Sequence, residues 1–215
     1  MFSMQLAAAA GLAAVTTGCT TPGSSKQPDS GKGGGKDGGR PGEGLDMSGE
    51  LELDYAILLD DDGAERRIDE KRRLRDNDRF RVQLKPGFAA HVYLLNRGTV
   101  QPHYTFLYPN PKISRENPLE AGRAVTLPGG SEWFTLDKAS GVENLVLIAS
   151  PVALVEFNTP ERTIPRDECE ARLALVERDY RPKSSRRFED RDWVKLFAAR
   201  GAKTAFVLRL PLDHR

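Results

Sequence analysis

Two cysteines, three histidines and no long apolar run set the first limits on this chain of 215 residues. Two thiols are too few for a disulfide-stapled mini-fold or a four-cysteine zinc site. His91, His103 and His214 form no HExxH motif and no pair at ligand spacing, so no metal site is expected. No apolar stretch approaches the roughly 20 residues that cross a bilayer as a helix. An excess of one charge is missing too: 32 Lys+Arg face 31 Asp+Glu. That balance removes the general electrostatic case for binding nucleic acid. Catalytic signatures are equally scarce. Gly129-Gly130-Ser131 runs into Glu132 and is not a nucleophile elbow. Gly35-Lys36 is followed by Asp37 where a phosphate-cradling loop needs Ser or Thr. Nothing separates a catalytic carboxylate pair from solvated strand faces, so neither an enzyme nor a cofactor is expected.

What is present divides into three segments. Residues 6–15 (LAAAAGLAAV) have the length of a signal-peptide apolar region. Val15-Thr16-Thr17-Gly18-Cys19 follows and resembles a bacterial lipobox, in which cleavage after a small residue frees a cysteine for thioether attachment of diacylglycerol. Thr16 stands where such sequences usually carry Leu, and residues 1–5 hold no Lys or Arg. The resemblance implies a signal peptide over residues 1–18, cleavage between Gly18 and Cys19, and a Cys19 lipid anchor. Thr20, rather than Asp, after the cysteine points to the outer membrane. Several acyl chains, at about 0.8 kcal/mol per buried methylene, anchor a protein without a transmembrane helix. Residues 20–44 then hold nine of the twenty glycines and no large apolar side chain. Such a segment cannot offset its ordering entropy by burial, so residues 19–45 read as the lipidated cysteine and a flexible tether.

Residues 46–215 carry the globular domain. Leu51, Leu53, Tyr55 and Ile57 alternate with Glu52 and Asp54, and Phe80, Val82 and Leu84 alternate with Arg81 and Gln83. Period two predicts half-buried strands. Asp60-Asp61-Asp62-Gly63 turns the chain; its acids lack the spacing of a calcium loop. The more continuous apolar run over residues 88–95 suits a strand covered on both faces. Tyr104, Phe106 and Tyr108 are expected on one face of a further strand, and short strands are expected over 124–127, 133–136 and 145–149. Pro165 opens a helix whose Cys169, Leu173, Val176 and Tyr180 form one stripe, which makes Cys169 a buried structural thiol. Trp193, Leu196 and Phe197 suggest a second short helix over 190–200, before a closing strand over 206–210. The expected fold is mainly β: a β-sandwich-like (immunoglobulin/transthyretin-like) domain with one or two short C-terminal helices and a closing strand.

A series of short motifs runs in order through the middle of this domain. Asp76-Asn77-Asp78-Arg79 is followed by Tyr93-Leu94-Leu95-Asn96, then by Phe106-Leu107-Tyr108-Pro109-Asn110. Asn117-Pro118-Leu119-Glu120-Ala121-Gly122, Leu127-Pro128 and Gly141-Val142-Glu143-Asn144-Leu145 complete it. This series resembles the bacterial family called domain of unknown function 4384 over about residues 70–150, with Asn77 in place of a common glycine. The resemblance implies a small β-rich extracytoplasmic or accessory module, often found in lipoproteins or beside signalling and protease domains. It supplies no catalytic residues to carry over.

Two features point to contacts. Tyr104 and Trp133 are the candidate aromatic binding residues, Trp133 because Trp133-Phe134 sends one ring inward and one outward. Arg186 and Arg187 belong to a basic C-terminal segment: residues 178–215 hold eleven basic and five acidic side chains. Residues 46–62, by contrast, carry seven acids and no basic residue, so an acidic first strand is expected to pair with basic neighbours. His91 reads as a sheet-face residue, and His214 as too near the terminus to be held as a ligand. The function expected is that of a lipid-anchored cell-envelope protein with a non-catalytic interaction or structural domain. Its partners would be the membrane, through the anchor, and an envelope protein. The alternative is a binding module for cell-wall material or a small anionic ligand.

Overall fold

Local sequence decides the first hairpin. Asp62 (φ 54°) and Gly63 (φ 88°) both lie in the left-handed region, as a two-residue type I′ turn requires, and the Gly63 N–H donates to Asp60 Oδ1 at 2.8 Å. The turn joins β2 (Glu50–Asp61) to β3 (Ala64–Ile68). The computed structural model describes residues 5–7, 49–69, 71–114, 116–158, 162–201 and 203–215. Gly18, Cys19 and the tether over 19–45 lie outside these residues, as does all of the expected signal segment except Gln5–Ala7, which forms β1.

The remaining elements are β4 (Arg79–Pro86), β5 (His91–Arg97), β6 (His103–Tyr108), β7 (Val125–Leu127), β8 (Trp133–Thr135) and β9 (Gly141–Ser150). They are followed by β10 (Thr163–Pro165), α1 (Arg166–Asp179), β11 (Ser185–Glu189), β12 (Val194–Ala199) and β13 (Phe206–His214). The strands form two antiparallel sheets. Sheet one runs β1-β8-β4-β2-β12-β11, with β3 also on β2 and β7 also on β4. Sheet two runs β10-β6-β5-β9-β13.

The sheets face one another across an apolar interior, which is the sandwich architecture expected from sequence. Period two delivers Leu51, Leu53, Tyr55 and Ile57 of β2 and Phe80, Val82 and Leu84 of β4 to one side of it. Val92 and Leu94 of β5, Leu145 and Leu147 of β9, and Leu210 and Leu212 of β13 meet them from the other. The alternate residues of sheet two are apolar as well. Tyr93, Leu95, Val146 and Ile148 form a second cluster with Leu154, Phe157 and the α1 stripe Cys169, Leu173 and Val176. The run over 88–95 is continuous because β5 lies between the opposite sheet and a helix. Pro165 caps α1 in an extended conformation (φ −50°, ψ 143°), Asp167 and Glu168 occupy the first turn and Arg178 the last, all favourable to the helix dipole.

Two expectations are corrected. The region 190–200 is not helical: residues 194–199 form strand β12 between β2 and β11. Val194, Leu196 and Ala198 are buried in alternation with half-buried Lys195, Phe197 and Ala199. The Trp193–Leu196–Phe197 spacing fits the helical period, but Val194, Leu196 and Ala198 alternate, and pairing with β2 selects the strand. Second, Tyr104, Phe106 and Tyr108 do not share a face. Leu95 pairs with Phe106 and Leu94 with Tyr108, so Leu107 is an extra residue and the parity changes across it. Tyr104 and Phe106 lie under the helix, and Tyr108 enters the inter-sheet core. Asn77, at φ 66°, adopts the left-handed conformation that asparagine tolerates better than most residues.

Candidate functional site

The apolar interior ends in a polar row. Asn96 stands opposite Leu145, Glu143 opposite Leu212, and His214 opposite Gly141, so all three point inward from the neighbouring strands β5, β9 and β13. Two further acids join them from connections: Asp137 from the segment between β8 and β9, and Asp76 from that between β3 and β4. The Asn96 amide donates to Glu143 Oε2 at 2.8 Å, and His214 Nε2 lies 3.0 Å from Asp76 Oδ1. One ligating atom from each of Asp137, Glu143 and His214 falls within 4.8 Å of the other two.

Burial makes this cluster chemically unusual. His214 is 0% exposed, and Asn96 and Glu143 are 7% exposed. Burial pushes the Glu143 carboxyl above the usual carboxylate range; the Asn96 hydrogen bond opposes this shift and the Asp137 charge adds to it. A carboxylate can only accept, so the His214 ring donates from Nε2 to Asp76 and leaves Nδ1 as its second ring nitrogen. That Nδ1 and Asn96 Oδ1 are both buried without a hydrogen-bond partner among the described residues. Asn96, Asp137 and Glu143 also line a cleft of about 750 Å³, whose wall continues through His103, Thr105 and Ile113.

The backbone around the row is shaped for it. Gly141, opposite His214, has φ 150°, and a Cβ there would stand 2.3 Å from Thr99 Oγ1. A Cβ on Gly98 would meet Glu143 Oε1 at 3.1 Å. His214 is not a mobile terminal residue, contrary to the expectation from its position. The Leu74 N–H donates to Asp213 O (2.8 Å) and the Arg215 N–H to Leu74 O (3.1 Å), which ties the last residues to the rest of the fold.

The sequence-predicted binding residues lie in three separate places. Tyr104 is 1% exposed beneath α1 and donates its hydroxyl to Glu170 Oε1 at 2.6 Å. Trp133 lies half-buried on sheet one, with the Arg81 guanidinium 4.1 Å and that of Arg79 5.7 Å from its ring centroid. Its neighbour Phe134 points into the core, so one ring is in and one out. Arg186 and Arg187 lie on β11. Arg186 binds both carboxylate oxygens of Glu50 (2.7 and 2.6 Å) and packs over Phe197. With Arg181 and Lys183 they line a groove of about 690 Å³ between the end of α1 and β11. Cys169 is buried, and burial raises its thiol to about 12, which suits a structural rather than a reactive role. His91 is a half-buried strand residue whose imidazole burial holds below its usual pKa.

The motif asparagines have visible structural tasks. Asn117 accepts from the Val92 N–H (2.8 Å) and donates to Val92 O (3.1 Å), acting as a substitute strand partner for β5. Asn110 accepts from the Lys112 N–H and donates to Phe106 O, which shapes the exit from β6. Sequence reasoning missed Asp137, Glu143 and His214 because 77 residues separate the first from the last. One signal was readable: Glu143 shares its parity with Leu145 and Leu147, which places an acid on the inward face of a strand.

Residues 73–153 match the model of a family described as Domain of unknown function (DUF4384). The match runs from before β4 to just past β9 and contains Asp76, Asn96, Asp137 and Glu143. It stops short of β13, so His214 and the β9 partner strand come from outside it. No curated protein and no solved structure matches the chain.

Proposed function

We propose that this is a lipid-anchored protein of the bacterial cell envelope whose sandwich is a non-catalytic protein-interaction module. The observation that carries the interaction reading is strand β11. It is the last strand of sheet one, all five of its residues are exposed, and among the described residues only β12 pairs with it. Its outer backbone edge is a template on which an extended segment of another chain can add a strand. Phe188, 54% exposed and edge-on to Phe197, offers an apolar anchor on this strand. Arg181, Lys183, Arg186 and Arg187 along the adjoining groove suit an acidic partner segment. The anchor rests on residues 1–45: an apolar stretch, Gly18-Cys19, and a glycine-rich tether with a root-mean-square reach of roughly 25–30 Å. Cleavage before Cys19 would also remove Gln5–Ala7 and open the β8 edge of the same sheet.

A photocrosslinking residue at position 188 of the full chain, expressed in cells, tests the reading. The expected result is one dominant protein adduct in the membrane fraction, absent when the crosslinker replaces Leu175 on the helix. In the Cys19→Ala background both lipid labelling and membrane recovery should disappear. Equal adducts at 188 and 175 would refute the β11 interface, and unchanged membrane recovery of the Cys19→Ala chain would refute the anchor.

The groove beside β11 also favours the second reading, a small anionic ligand held by its four basic side chains. Saturable binding of a free anionic ligand, weakened by Arg181→Ala, together with no protein adduct at position 188, would select it.

A further inference from the structure

We infer that Asp137, Glu143 and His214 form a binding site for one divalent transition-metal cation beside the cleft that Asp137 and Glu143 line. Two carboxylates and an imidazole converge there from three parts of the chain, with their ligating atoms within 4.8 Å of one another. Around a cation with bonds of roughly 2.0–2.2 Å, ligand atoms lie roughly 3–4 Å apart. A contraction of about 1 Å therefore completes the site.

Two independent features favour a cation over a plain hydrogen-bonded network. The first is the imidazole. Asp76 holds His214 through Nε2 at 3.0 Å and leaves Nδ1 buried without a partner among the described residues. A carboxylate on the far nitrogen that orients the ring and raises its basicity is the usual support of a metal-bound histidine. The second is Asn96. It is only 7% exposed, its amide donates to Glu143, and its Oδ1 has no partner among the described residues. That oxygen, on the same cleft wall, is a fourth donor.

The donor set narrows the metal. Imidazole with carboxylates, and no thiolate, suits Zn²⁺ or Mn²⁺; it is too poor in oxygen for Ca²⁺ and lacks the soft ligands of Cu⁺. The carboxylates reach the cleft, so coordination positions on that side are open to water or to a ligand group. The site goes beyond the interaction reading and stands apart from β11, so either can fail without the other.

The test uses the full chain without a purification tag, stripped with a chelator and titrated with Zn²⁺ and with Mn²⁺ by calorimetry. One equivalent of at least one cation should bind saturably, and the melting temperature should rise with its concentration. Asp137→Asn is the key variant, because Asp137 is half-buried on a connection and its Oδ1 contact with the Ala139 N–H survives the change. It should weaken binding at least tenfold and leave the metal-free melting temperature unaltered. His214→Gln should abolish binding, and a Co²⁺-loaded chain should lose its visible absorption in either variant. Absence of saturable binding by both cations, or an Asp137→Asn chain that binds as tightly as the parent, would overturn the site.

Discussion

The two sheets bury their inner faces against each other and treat their outer faces in opposite ways. Sheet two turns Tyr93, Leu95, Val146 and Ile148 outward and is covered by α1 through Cys169, Leu173 and Val176. Sheet one turns charge outward. Asp54 stands between its cross-strand partners Lys85 and Lys195, Asp60 pairs with Arg79, Glu65 with Arg81, and Glu50 with Arg186. The acidic first strand and the basic later segments are thus laid side by side across one sheet face. The two faces are held by different physics. Apolar burial contributes roughly 1.5–3 kcal/mol per large side chain, whereas exposed ion pairs contribute about 0–1 kcal/mol each. A helix is needed where the outward residues cannot face water. Ion pairs suffice where they can.

The largest effect should come from the covered face. Phe157 is 2% exposed and packs against Tyr93 (5.8 Å between centroids) and Phe106 (6.4 Å). Phe157→Ala should cost about 3–5 kcal/mol in urea unfolding. A loss below about 1 kcal/mol would mean that the helix layer does not share the cooperative stability of the sandwich.

On the charged face, the strongest single group is Arg81. It is 9% exposed, donates to Glu132 O and Gly130 O at 2.8 Å, pairs with Glu65 and stacks on Trp133. Arg81→Ala should cost about 1–3 kcal/mol, because it strands two carbonyls and uncovers the indole. Intrinsic tryptophan fluorescence should report the altered Trp133 environment in the still-folded protein. A cost equal to that of Phe157→Ala would erase the proposed distinction between the faces.

The smallest effect is a pH dependence at Asp54. Burial, aided by Glu52 and Asp190, raises its pKa against the opposing pull of Lys195 and Lys85. The folded protein therefore holds this proton more tightly than the unfolded chain does. The contribution is fully present below the unfolded carboxylate pKa of about 3.9 and declines as pH rises through the higher folded value. Asp54→Asn should flatten that decline in denaturation midpoints measured across the acidic range. A steeper decline in the variant would reverse the assignment.

Much of the fold was legible in the chain because short-range patterning carried it. The alternation at Leu51, Leu53, Tyr55 and Ile57, the Asp62-Gly63 turn and the Cys169–Leu173–Val176 stripe each needs only a few consecutive residues. The motif series at Asp76, Asn96, Asn110, Asn117 and Glu143 likewise marked the stretch that the family match covers. What failed was local ambiguity settled by distant partners. Trp193-Val194-Lys195-Leu196-Phe197 fits a helix until β2 claims Val194, Leu196 and Ala198. Tyr104, Phe106 and Tyr108 keep perfect alternation in sequence, yet an extra residue against β5 sends Tyr108 to the opposite face. The candidate binding residues Tyr104, Trp133, Arg186 and Arg187 each have a credible surface chemistry on paper. Only Arg186 and Arg187 share a place, because which face a side chain occupies depends on what covers that face.

Sequence by itself determined that the domain is mainly β, where its turns fall, which helix face is apolar, and that its charges are balanced in blocks. These follow from interactions between residues a few positions apart. Only the tertiary structure decided which strands pair, that sheet two is covered on both sides, and that β11 is the last strand of sheet one among the described residues. It alone brought Asp137 and Glu143 to His214 in the closing strand β13, because strand pairing joins residues that no sequence period relates.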